Sequence, residues 1–478
     1  MAGIASFGAY VPRTRLPLAL LSGRPAREGG PEKALAHPDE DAVTMAVAAA
    51  RDCLRGLDRG GIDALYFAST TYPFREKQGA ALVARALDLR RDILTQDFAG
   101  SLRAGLGALE AALHGVAAGA LREALVVASD CRMAAPRTAL EGRLGDGAAA
   151  FLVRAQEPVA ELLGSFAVAD ELQDLWRVEG EPFVHSWEDR FVVQQSYTPN
   201  LLEAVRGLLA RLDLSPEAVD HAALSAPDAR SLGSAARRIG FDSDRLADAF
   251  FGRLGNTGTA FAPMLLAGAL ETAAPGQRIL VAGTGDGAHA LCFLTTEGLA
   301  KLEPRLGVRG HLARRRPLAS YDAYLRARQL LPQEWPPERG PGLSATVRFR
   351  ERDADIAFLA ARCRACGQIH FPRPRICGGC RARDDFEAYP LAERTGRVLS
   401  FTFDYFFPTA EPPTAVVMTD IDGCRVQLQL ADCRPEEVAL DMPVGFAFRK
   451  IHDAGGRPNY FWKAVPLAAE EAAREEAG

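Results

Sequence analysis

The stretch DFAGSLRAGLGALEAALHGV, residues 97–116, decides the fold of the N-terminal part of this chain. Gly100 and Ser101 form a tight bend, and the sequence from Leu102 onward has the Ala, Leu and Gly content of a helix with small residues on every side. Such a helix is expected to be buried between layers. A strand-to-helix bend presents backbone N–H groups and the positive end of the helix dipole to the residue at the turn, which stabilises a thiolate or an oxyanion there. The residue at this turn is Leu102, so the bend has the form of a nucleophile elbow but holds no nucleophile.

The composition is that of a globular protein with several domains. The 478 residues are too many for one ordinary domain and predict two or three. The net charge of -5 gives no electrostatic reason to expect a nucleic-acid partner. The N-terminal segment has no leader pattern, and no apolar run reaches the ~18 residues of a membrane span. We therefore expect a cytoplasmic protein without a membrane partner.

The same order of elements occurs twice in the first 302 residues. In each half a helix leads into an apolar strand, a glycine bend enters a helix of small residues, and a Gly-Asp-Gly turn precedes another apolar strand. The paired segments are the helices 40–57 and 201–212, the strands 62–69 and 219–225, the bends 100–102 and 255–257, and the turns 145–147 and 285–287. The Gly-Asp-Gly turns are not dinucleotide loops, because a helix should follow and does not. A duplicated α/β unit with two buried helices at its middle predicts a five-layer α/β/α/β/α domain over residues 1–302.

Residues 303–355 differ in composition from the part of the chain that precedes them. They contain the arginine-rich HLARRRP at 311–317 and the PPERGPG segment at 336–342, and only Tyr321 to Leu331 has convincing helical spacing. We expect a linker that wraps the first domain and contains one helix.

Four cysteines form two Cys-x-x-Cys pairs, Cys363 with Cys366 and Cys377 with Cys380, separated by ten residues. Each pair offers two sulfurs from one tight turn, and together they supply the four thiolates of a tetrahedral site. The pattern predicts a zinc ribbon over residues 356–390, although an S4 set also suits iron. Nine cysteines in so long a chain are not a disulfide framework, so the cluster indicates a reducing compartment.

Short segments with period-two alternation follow between residues 391 and 470. They are RVLSFTFDYF, AVVMTDID, CRVQLQLAD, VGFAFRKI and YFWKAV, and turn residues separate them. This pattern predicts a small closed barrel of five strands, with a tail at residues 471–478. The barrel has neither a basic face nor a stacking series, and its turns carry Asp404, Asp420, Asp422 and Asp432. Such turns would repel the phosphates of a polynucleotide.

The first 300 positions resemble the thiolase superfamily, in particular ketoacyl synthase III and the bacterial and archaeal HMG-CoA synthases. The motifs that carry the resemblance are ASTTYPF at 68–74, DFAGSLRAG at 97–105, VVASDCRMAAPRTALEGRLGDGAAAFLV at 126–153, DLWRVEGEPFVHSWEDRF at 174–191, RLGNTGTA at 253–260 and ILVAGTGDGAHALCF at 279–293. The ribbon and the barrel resemble acyl-CoA-associated proteins that join a rubredoxin-like zinc ribbon to an OB-fold, on the phrases CRACGQIHFPRPRICGGC and TGRVLSFT. The resemblance implies a CoA thioester as substrate and an OB barrel that serves acyl-CoA handling.

The resemblance also implies catalytic roles, most of which this sequence has lost. In the resembled synthases an elbow cysteine accepts the acyl group, a glutamate is the general acid/base, and a histidine and an asparagine stabilise the enolate or oxyanion. The cysteine position is Leu102, the glutamate position is Thr70, and the histidine position is Ser225. Only the asparagine survives, as Asn256. Thr70, Ser225 and Asn256 are the remaining candidates for the catalytic site, and the loss of three groups argues against the HMG-CoA synthase reaction.

Other residues have a functional and a structural interpretation side by side. Cys131 is either a replacement thiol or a small buried residue at the end of a strand, and Asn256 is either an oxyanion donor or the left-handed residue of a glycine-flanked bend. His185 and Tyr197 either line a substrate pocket or belong to surface and packing. The remaining candidates are His221 and His289, which we expect to be core histidines whose ring nitrogens have hydrogen-bond partners.

Three hypotheses of function follow from these residues. The first is an enzyme of the aldol or Claisen class that makes or breaks a carbon–carbon bond beside a CoA thioester without an acyl-enzyme. The second is a non-catalytic subunit that binds acyl-CoA or holds a Cys-bearing thiolase homologue. The third, the least favoured, is acyl transfer through an unexpected nucleophile. In each case the resemblance implies at least a homodimer, and the candidate for the edge strand that pairs between subunits is Leu125 to Ser129.

Overall fold

The chain divides into two units in the computed structural model, which describes residues 2–172, 174–331, 344–407, 409 and 411–467. The first unit comprises Met1–His37, Asp41–Ala84 and Leu89–Tyr324, and the second comprises Pro38–Glu40, Arg85–Asp88 and Leu325–Gly478. The predicted tail at 471–478 and the predicted linker segment PPERGPG lie outside the described residues.

Ten α-helices are formed by the described residues. They are α1 Ala42–Cys53, α2 Gly79–Ala86, α3 Ala104–Ala117, α4 Asp189–Val192, α5 Thr198–Arg211, α6 Ala229–Ile239, α7 Phe261–Leu270, α8 Gly307–Ala313, α9 Tyr321–Ala327 and α10 Ala345–Asp355. Local chemistry sets several of their starts: the Asp41 side chain accepts hydrogen bonds from Val43 N and Thr44 N at the beginning of α1. In the described parts of the chain, no helix combines the length and the apolar content that a membrane crossing requires.

Strands β1 to β14 belong to the first unit and β15 to β22 to the second. In the first unit they are β1 Gly3–Tyr10, β2 Thr14–Pro17, β3 Glu32–Ala34, β4 Ile62–Ala68, β5 Leu94–Phe98, β6 Glu123–Cys131, β7 Asp146–Arg154, β8 Ala160–Ala169, β9 Leu175–Trp176, β10 His185–Ser186, β11 His221–Leu224, β12 Arg278–Thr284, β13 Gly287–Thr295 and β14 Arg316–Pro317. In the second unit they are β15 Leu359–Cys363, β16 Ile369–His370, β17 Phe386–Pro390, β18 Gly396–Asp404, β19 Thr414–Ile421, β20 Cys424–Gln429, β21 Pro443–Ala454 and β22 Arg457–Pro466.

A nine-stranded sheet of order β11-β12-β13-β8-β1-β7-β6-β4-β5 organises the first unit. In one half, β1 is antiparallel to β7 and β7 to β6, whereas β6, β4 and β5 are parallel. In the other half, β8 is antiparallel to β13 and β13 to β12, whereas β12 and β11 are parallel. The halves join where Gly3 and Ile4 pair with Glu161 and Ala160. The repeated strand order confirms the predicted duplication.

The helices complete the predicted five layers. Helix α1 packs on β1, β7 and β6, and α5 packs on β13 and β8, so these two helices cover the outer faces. Helices α3 and α7 contact each other, α3 packing on β6 and β4 and α7 on β12 and β11. Helix α7 is buried along its whole length, but α3 is not enclosed on every side, because His114 and Ala117 are exposed. The expectation of a buried elbow helix is therefore correct for one face of α3.

The predicted edge strand is wrong. Leu125 to Ser129 lies in β6, which pairs with β4 on one side and β7 on the other and is buried from Ala124 to Asp130. The free edge in this half of the sheet is β5, where Leu94 is 50% exposed. The continuous apolar run of β6 reflects burial on both faces of the sheet rather than an uncovered edge.

The described residues of the segment 303–355 form three helices rather than one. The predicted helix Tyr321 to Leu331 is present as α9 and is shorter, and α8 and α10 were not predicted. The first part of the segment belongs to the first unit, where β14 pairs with β2 and Arg305 Nη1 donates a hydrogen bond of 2.6 Å to Phe7 O.

In the second unit, α10 is followed by two small sheets, in the orders β16-β15-β17 and β20-β19-β18-β21-β22. Every pairing within them is antiparallel. Beyond the end of β20, Leu430 bridges to Ala464 of β22, so the two outer strands of the larger sheet meet. Trp462 is fully buried and stacks on Phe358 at a centroid distance of 5.8 Å. The predicted all-β character of this part of the chain is confirmed.

Candidate functional site

The elbow predicted at residues 97–105 is present. Strand β5 ends at Phe98, Gly100 takes a left-handed φ of 83°, and α3 begins at Ala104, so Leu102 lies in the bend before the first helical turn. The helix start is closed by Ala104 N, which donates to Ser101 O at 3.1 Å. The Ser101 hydroxyl donates to Gly285 O at 3.2 Å and so joins this bend to a Gly-Asp-Gly turn of the other half.

Gly285 packs directly against Leu102. A Cβ added to Gly285 would lie 3.0 Å from Leu102 Cβ and 3.1 Å from Leu102 N. The glycine is therefore required for the close approach of the two turns. The elbow and the turn 285–287 form one assembly, as the duplicated fold predicts.

Two cavities meet at the elbow. The smaller, of about 560 Å³, is lined by Thr70, and the larger, of about 800 Å³, is lined by Ser225 and Asn256. Leu102 lines both cavities. The fold thus brings all four carried-over positions around one point, with the leucine where the cavities adjoin. Volumes of this size are typical of small-molecule and cofactor sites.

Thr70 is held by a buried carboxylate. Its hydroxyl donates to Asp130 Oδ2 at 2.8 Å, and its backbone N–H donates to Asp130 Oδ1 at 2.7 Å. The same carboxylate, which is 0% exposed, also accepts hydrogen bonds from the Ser69 and Thr71 hydroxyls and from Thr259 N. With its proton directed to Asp130, the Thr70 hydroxyl is a positioning group.

Ser225, Asn256 and Tyr197 lie along the larger cavity. Ser225 is 7% exposed, and its oxygen accepts a hydrogen bond of 3.2 Å from Thr284 N. The Tyr197 hydroxyl is buried and has no hydrogen-bond partner among the described residues. Burial raises the pKa of Tyr197, with a smaller contribution from Asp228. A neutral phenol with an unpartnered hydroxyl is a potential hydrogen-bond donor in the wall of this cavity.

The interpretation of Asn256 as a left-handed residue is wrong. The positive φ angles of this bend belong to Gly255, at 86°, and Gly258, at 63°. Asn256 contributes differently, since its Oδ1 accepts a hydrogen bond of 2.9 Å from Gly258 N. This contact orients the side-chain amide in the cavity wall, where its NH2 group is a potential donor.

Asp174 was not identified from the sequence, although it heads the motif DLWRVEGEPFVHSWEDRF. It lines both cavities together with Leu102 and Leu175. Burial raises the pKa of Asp174, a hydrogen bond from Leu175 N opposes the shift, and the neighbouring Asp286 adds to it. A half-buried carboxyl group with a raised pKa at the meeting point of two cavities has the properties of a general acid/base.

The other sequence candidates lie elsewhere. Cys131 ends β6 and is partly exposed, and His185 is exposed and pairs with Glu181 at 2.9 Å; neither lines the two cavities. His221 is satisfied as expected, with Nε2 2.8 Å from Gln277 Oε1. His289 is buried, and its Nε2 lies 3.1 Å from Glu110 Oε2.

The four cysteines of the ribbon converge on one point. Their Sγ atoms all lie within 4.8 Å of one another, with 3.6 Å between Cys363 and Cys380 and 3.5 Å between Cys366 and Cys377. A tetrahedral zinc site with Zn–S bonds of ~2.3 Å requires sulfurs about 3.8 Å apart, so the set fits. The N–H of Cys380 lowers the pKa of Cys377 to about 5. Four protein ligands leave no open position, which is typical of a structural zinc site.

The duplicated five-layer fold and the elbow between two cavities define a thiolase-like protein, and comparisons identify the family. The C-terminal domain family of 3-oxoacyl-[acyl-carrier-protein] synthase III matches residues 209–296, and the rubredoxin-like zinc ribbon domain family of ChsH2 matches residues 350–387. The hydroxymethylglutaryl-CoA synthase of Methanopyrus kandleri is 30% identical over 342 residues, covering 69% of this chain and 97% of the relative. That of Aeropyrum pernix is 31% identical over 340 residues, covering 68% and 94%. The chain belongs to the hydroxymethylglutaryl-CoA synthase family, to which it adds a zinc ribbon domain.

Solved structures share the fold of the first unit. MvaS in complex with 3-hydroxy-3-methylglutaryl coenzyme A has a TM-score of 0.59 at 24% identity, covering 71% of this chain and 94% of its own. An HMG-CoA synthase complexed with CoA has a TM-score of 0.62 at 20% identity, covering 71% and 92%. The 3-oxoacyl-(acyl carrier protein) synthase III of Pseudomonas aeruginosa has a TM-score of 0.55 at 23% identity, covering 62% and 98%.

Proposed function

We propose that this protein binds an acyl-CoA thioester and catalyses carbon–carbon bond formation or cleavage of the aldol class without forming an acyl-enzyme. The family supports the substrate: related proteins are hydroxymethylglutaryl-CoA synthases, and structures with the same fold hold 3-hydroxy-3-methylglutaryl coenzyme A or CoA. The observation that carries the proposal is the position of Asp174, which lines both cavities beside an elbow occupied by Leu102.

The larger cavity is the site proposed for the CoA thioester. Its wall includes the Tyr197 hydroxyl, which lacks a partner among the described residues, and the oriented amide of Asn256. Such donors can hold the thioester carbonyl and the negative charge that its enolate develops. Arg190 and Arg230 also line this cavity and are exposed, so they can meet the phosphates of CoA.

Asp174 is the proposed general acid/base. As a carboxylate it takes a proton from the carbon beside the thioester carbonyl, and as a carboxylic acid it returns that proton to the oxygen of the new alcohol. Cleavage of a 3-hydroxyacyl thioester is the same sequence in reverse. Because its pKa is raised by burial, both forms are accessible nearer to neutral pH than for an ordinary aspartate.

Leu102 directs the chemistry away from a covalent intermediate. An alkyl side chain cannot form a thioester, and Cys131 lies outside both cavities. Thr70, Ser225 and Asn256 are then positioning and donor groups around the reacting carbonyl.

Zinc would be held by the four ribbon cysteines, Cys363, Cys366, Cys377 and Cys380, and would fix the ribbon fold. The five-stranded sheet beyond the ribbon is proposed to be an OB barrel that serves acyl-CoA handling.

Turnover by the purified chain tests the proposal. We expect cleavage of a 3-hydroxyacyl-CoA to a carbonyl compound and a shorter acyl-CoA, and Asp174→Asn should reduce the rate by at least 100-fold. Glu171→Gln is the matched control, because Glu171 is an exposed acid three positions away in the same loop. Binding without turnover, with activity appearing only when a Cys-bearing thiolase homologue is added, would contradict the enzyme and establish the subunit alternative, in which the chain is a non-catalytic acyl-CoA-binding partner.

A further inference from the structure

The smaller cavity contains a cation that the proposed reaction has not used. Arg132 follows β6 directly, is 4% exposed, and lines this cavity with Leu102 and Asp174. Its Nη1 atom is buried and lacks a hydrogen-bond partner in the described parts of the chain. A guanidinium remains protonated in proteins, and an uncompensated buried charge is strongly unfavourable. The described residues therefore leave a buried guanidinium donor without an acceptor, which a bound anion would supply.

The neighbouring carboxylates do not complete it. Asp130, two positions before Arg132, already accepts hydrogen bonds from Ser69, Thr70, Thr71 and Thr259. Burial lowers the pKa of Arg132, and Asp130 and Asp174 oppose this shift through their charge alone. In the described parts of the chain no ion pair joins Arg132 to Asp130 or Asp174, and the arginine lines the cavity with a donor that has no acceptor.

A second unpartnered donor lies in the same cavity. The Tyr72 hydroxyl is buried and lacks a hydrogen-bond partner among the residues that the structure describes. Its ring contacts Phe67 at 5.8 Å and Phe74 at 5.5 Å between centroids, and both of these rings also line the cavity. The cavity thus combines an apolar wall with two buried unpartnered donors, one on cationic Arg132 and one on neutral Tyr72.

The backbone fixes the stem of Arg132. A Cβ added to Gly258 would lie 2.6 Å from Arg132 Cδ, so the arginine packs closely against the bend that carries Asn256. A preorganised guanidinium binds a carboxylate more tightly than a mobile one, because less side-chain entropy is lost.

We propose that Arg132 and Tyr72 bind the carboxylate of a small oxo acid, which makes the carbonyl partner of the reaction an anion. The role of this ligand as a reactant rests on the proposed function, whereas its binding does not. In the forward direction Asp174 removes the proton from the thioester α-carbon. The electron pair released there forms the new bond to the keto or aldehyde carbon of the oxo acid, and its carbonyl oxygen takes the proton from Asp174. The step needs no oxidant, reductant or further reactant.

Ligand-dependent thermal unfolding of the full chain, measured without a CoA thioester, tests the binding. Pyruvate should raise the unfolding temperature of the wild type, and acetone, its neutral counterpart, should not. Arg132→Leu should weaken pyruvate binding by about 10- to 100-fold, and Tyr72→Phe by about 5-fold. Arg75→Gln is the matched control: this exposed arginine on the same cavity is paired with Glu179 and should bind pyruvate as the wild type does.

A purely structural role for Arg132 gives a different result. Without ligand, Arg132→Leu should unfold at the same temperature as the wild type or higher, because a buried charge without a partner has been removed. A marked fall in its unfolding temperature would overturn the proposal. Equal stabilisation by acetone and pyruvate, or an Arg132-dependent stabilisation by inorganic phosphate as large as that by pyruvate, would also overturn it.

A separate measurement distinguishes failure of this inference from failure of the proposed function. Deuterium exchange at the α-carbon of acetyl-CoA, measured in heavy water without an oxo acid, reports only on thioester binding and Asp174. Exchange without Arg132-dependent pyruvate binding would contradict the oxo-acid site alone. Arg132-dependent pyruvate binding without exchange would support the site and contradict the proposed reaction.

Discussion

The Thr70 hydroxyl donates a hydrogen bond of 2.8 Å to Asp130 Oδ2. The resemblance assigns Thr70 to the position of the general acid/base, and the contact favours a structural role for the threonine. The hydroxyl proton is hydrogen-bonded to a buried carboxylate. We therefore expect Thr70 to stabilise the wall of the smaller cavity instead of exchanging protons with a ligand.

Replacing Thr70 should therefore affect stability more than chemistry. Thr70→Val removes the donor to Asp130 with little change in shape, and we expect the free energy of unfolding to fall by about 1–2 kcal/mol, because a buried carboxylate loses one of its partners. Urea unfolding measures the change, with the exposed Thr402→Val as control. A wild-type free energy of unfolding combined with complete loss of turnover would instead assign Thr70 a direct chemical role.

Zinc should hold the ribbon together. Metal analysis of the purified protein should find one zinc per chain, and Cys366→Ser should lose the metal and unfold the ribbon while the first unit remains folded. Cys433→Ser, at a cysteine outside the four-sulfur cluster, should keep the metal. Much less than one zinc per wild-type chain would contradict the assignment. Iron found instead of zinc would identify the metal of the four-cysteine site as iron.

The free edge of the large sheet predicts a dimer. Among the described residues strand β5 has a neighbour on one side only, and Leu94 on it is 50% exposed. An uncovered strand of this kind pairs with another edge, and a two-fold axis provides one. We expect a homodimer by light scattering and a monomer for Leu94→Asp, whereas Leu440→Asp, at a residue 63% exposed elsewhere, should remain dimeric. A monomeric wild type at micromolar concentration would refute this, unless a homologous partner is required.

The contact between Glu110 and His289 predicts a dependence of stability on acid pH. His289 beside Glu110, with a further hydrogen bond from Ser165, lowers the carboxyl pKa from 4.5 to about 2. A carboxylate with a lowered pKa stabilises the fold above the unfolded-state pKa, and this contribution is lost as pH falls from about 4.5 to 2. Over that interval the free energy of unfolding of the wild type should fall by about 2–3 kcal/mol more than that of Glu110→Gln. Urea unfolding at several pH values measures this. If the free energy of unfolding changes equally with pH in both proteins between pH 5 and pH 2.5, the assignment is contradicted.

The duplication was readable from the sequence because the repeated elements are punctuated by glycine. The Gly-Asp-Gly turns head β7 and β13, which occupy equivalent positions in the two halves of the sheet. The edge strand was misread because β6 is apolar throughout, and such a run indicates burial on both faces, whereas the true edge, LTQDF, is polar. Helix α10 was missed because it buries none of its residues and so has no apolar stripe; Ser344 caps it.

The site residues also differ in whether the sequence alone reveals them. Leu102, Thr70, Ser225 and Asn256 were found because each lies in a motif with a definite family position. Asp174 and Arg132 also lie in quoted motifs, but the resemblance assigns them no role, and their properties arise from burial beside cavities that only the fold creates. The one sequence feature at Arg132 is a charged residue three positions after the apolar run VVAS.

Intact-mass analysis of the wild type and Leu102→Cys after incubation with acetyl-CoA tests the central claim that the elbow is intact but lacks a nucleophile. The account predicts no acyl adduct on the wild type and an adduct on Leu102→Cys, because a thiol placed before the first turn of α3 is activated there as a thiolate. An acyl adduct on the wild type, at Cys131 or any other residue, would contradict it.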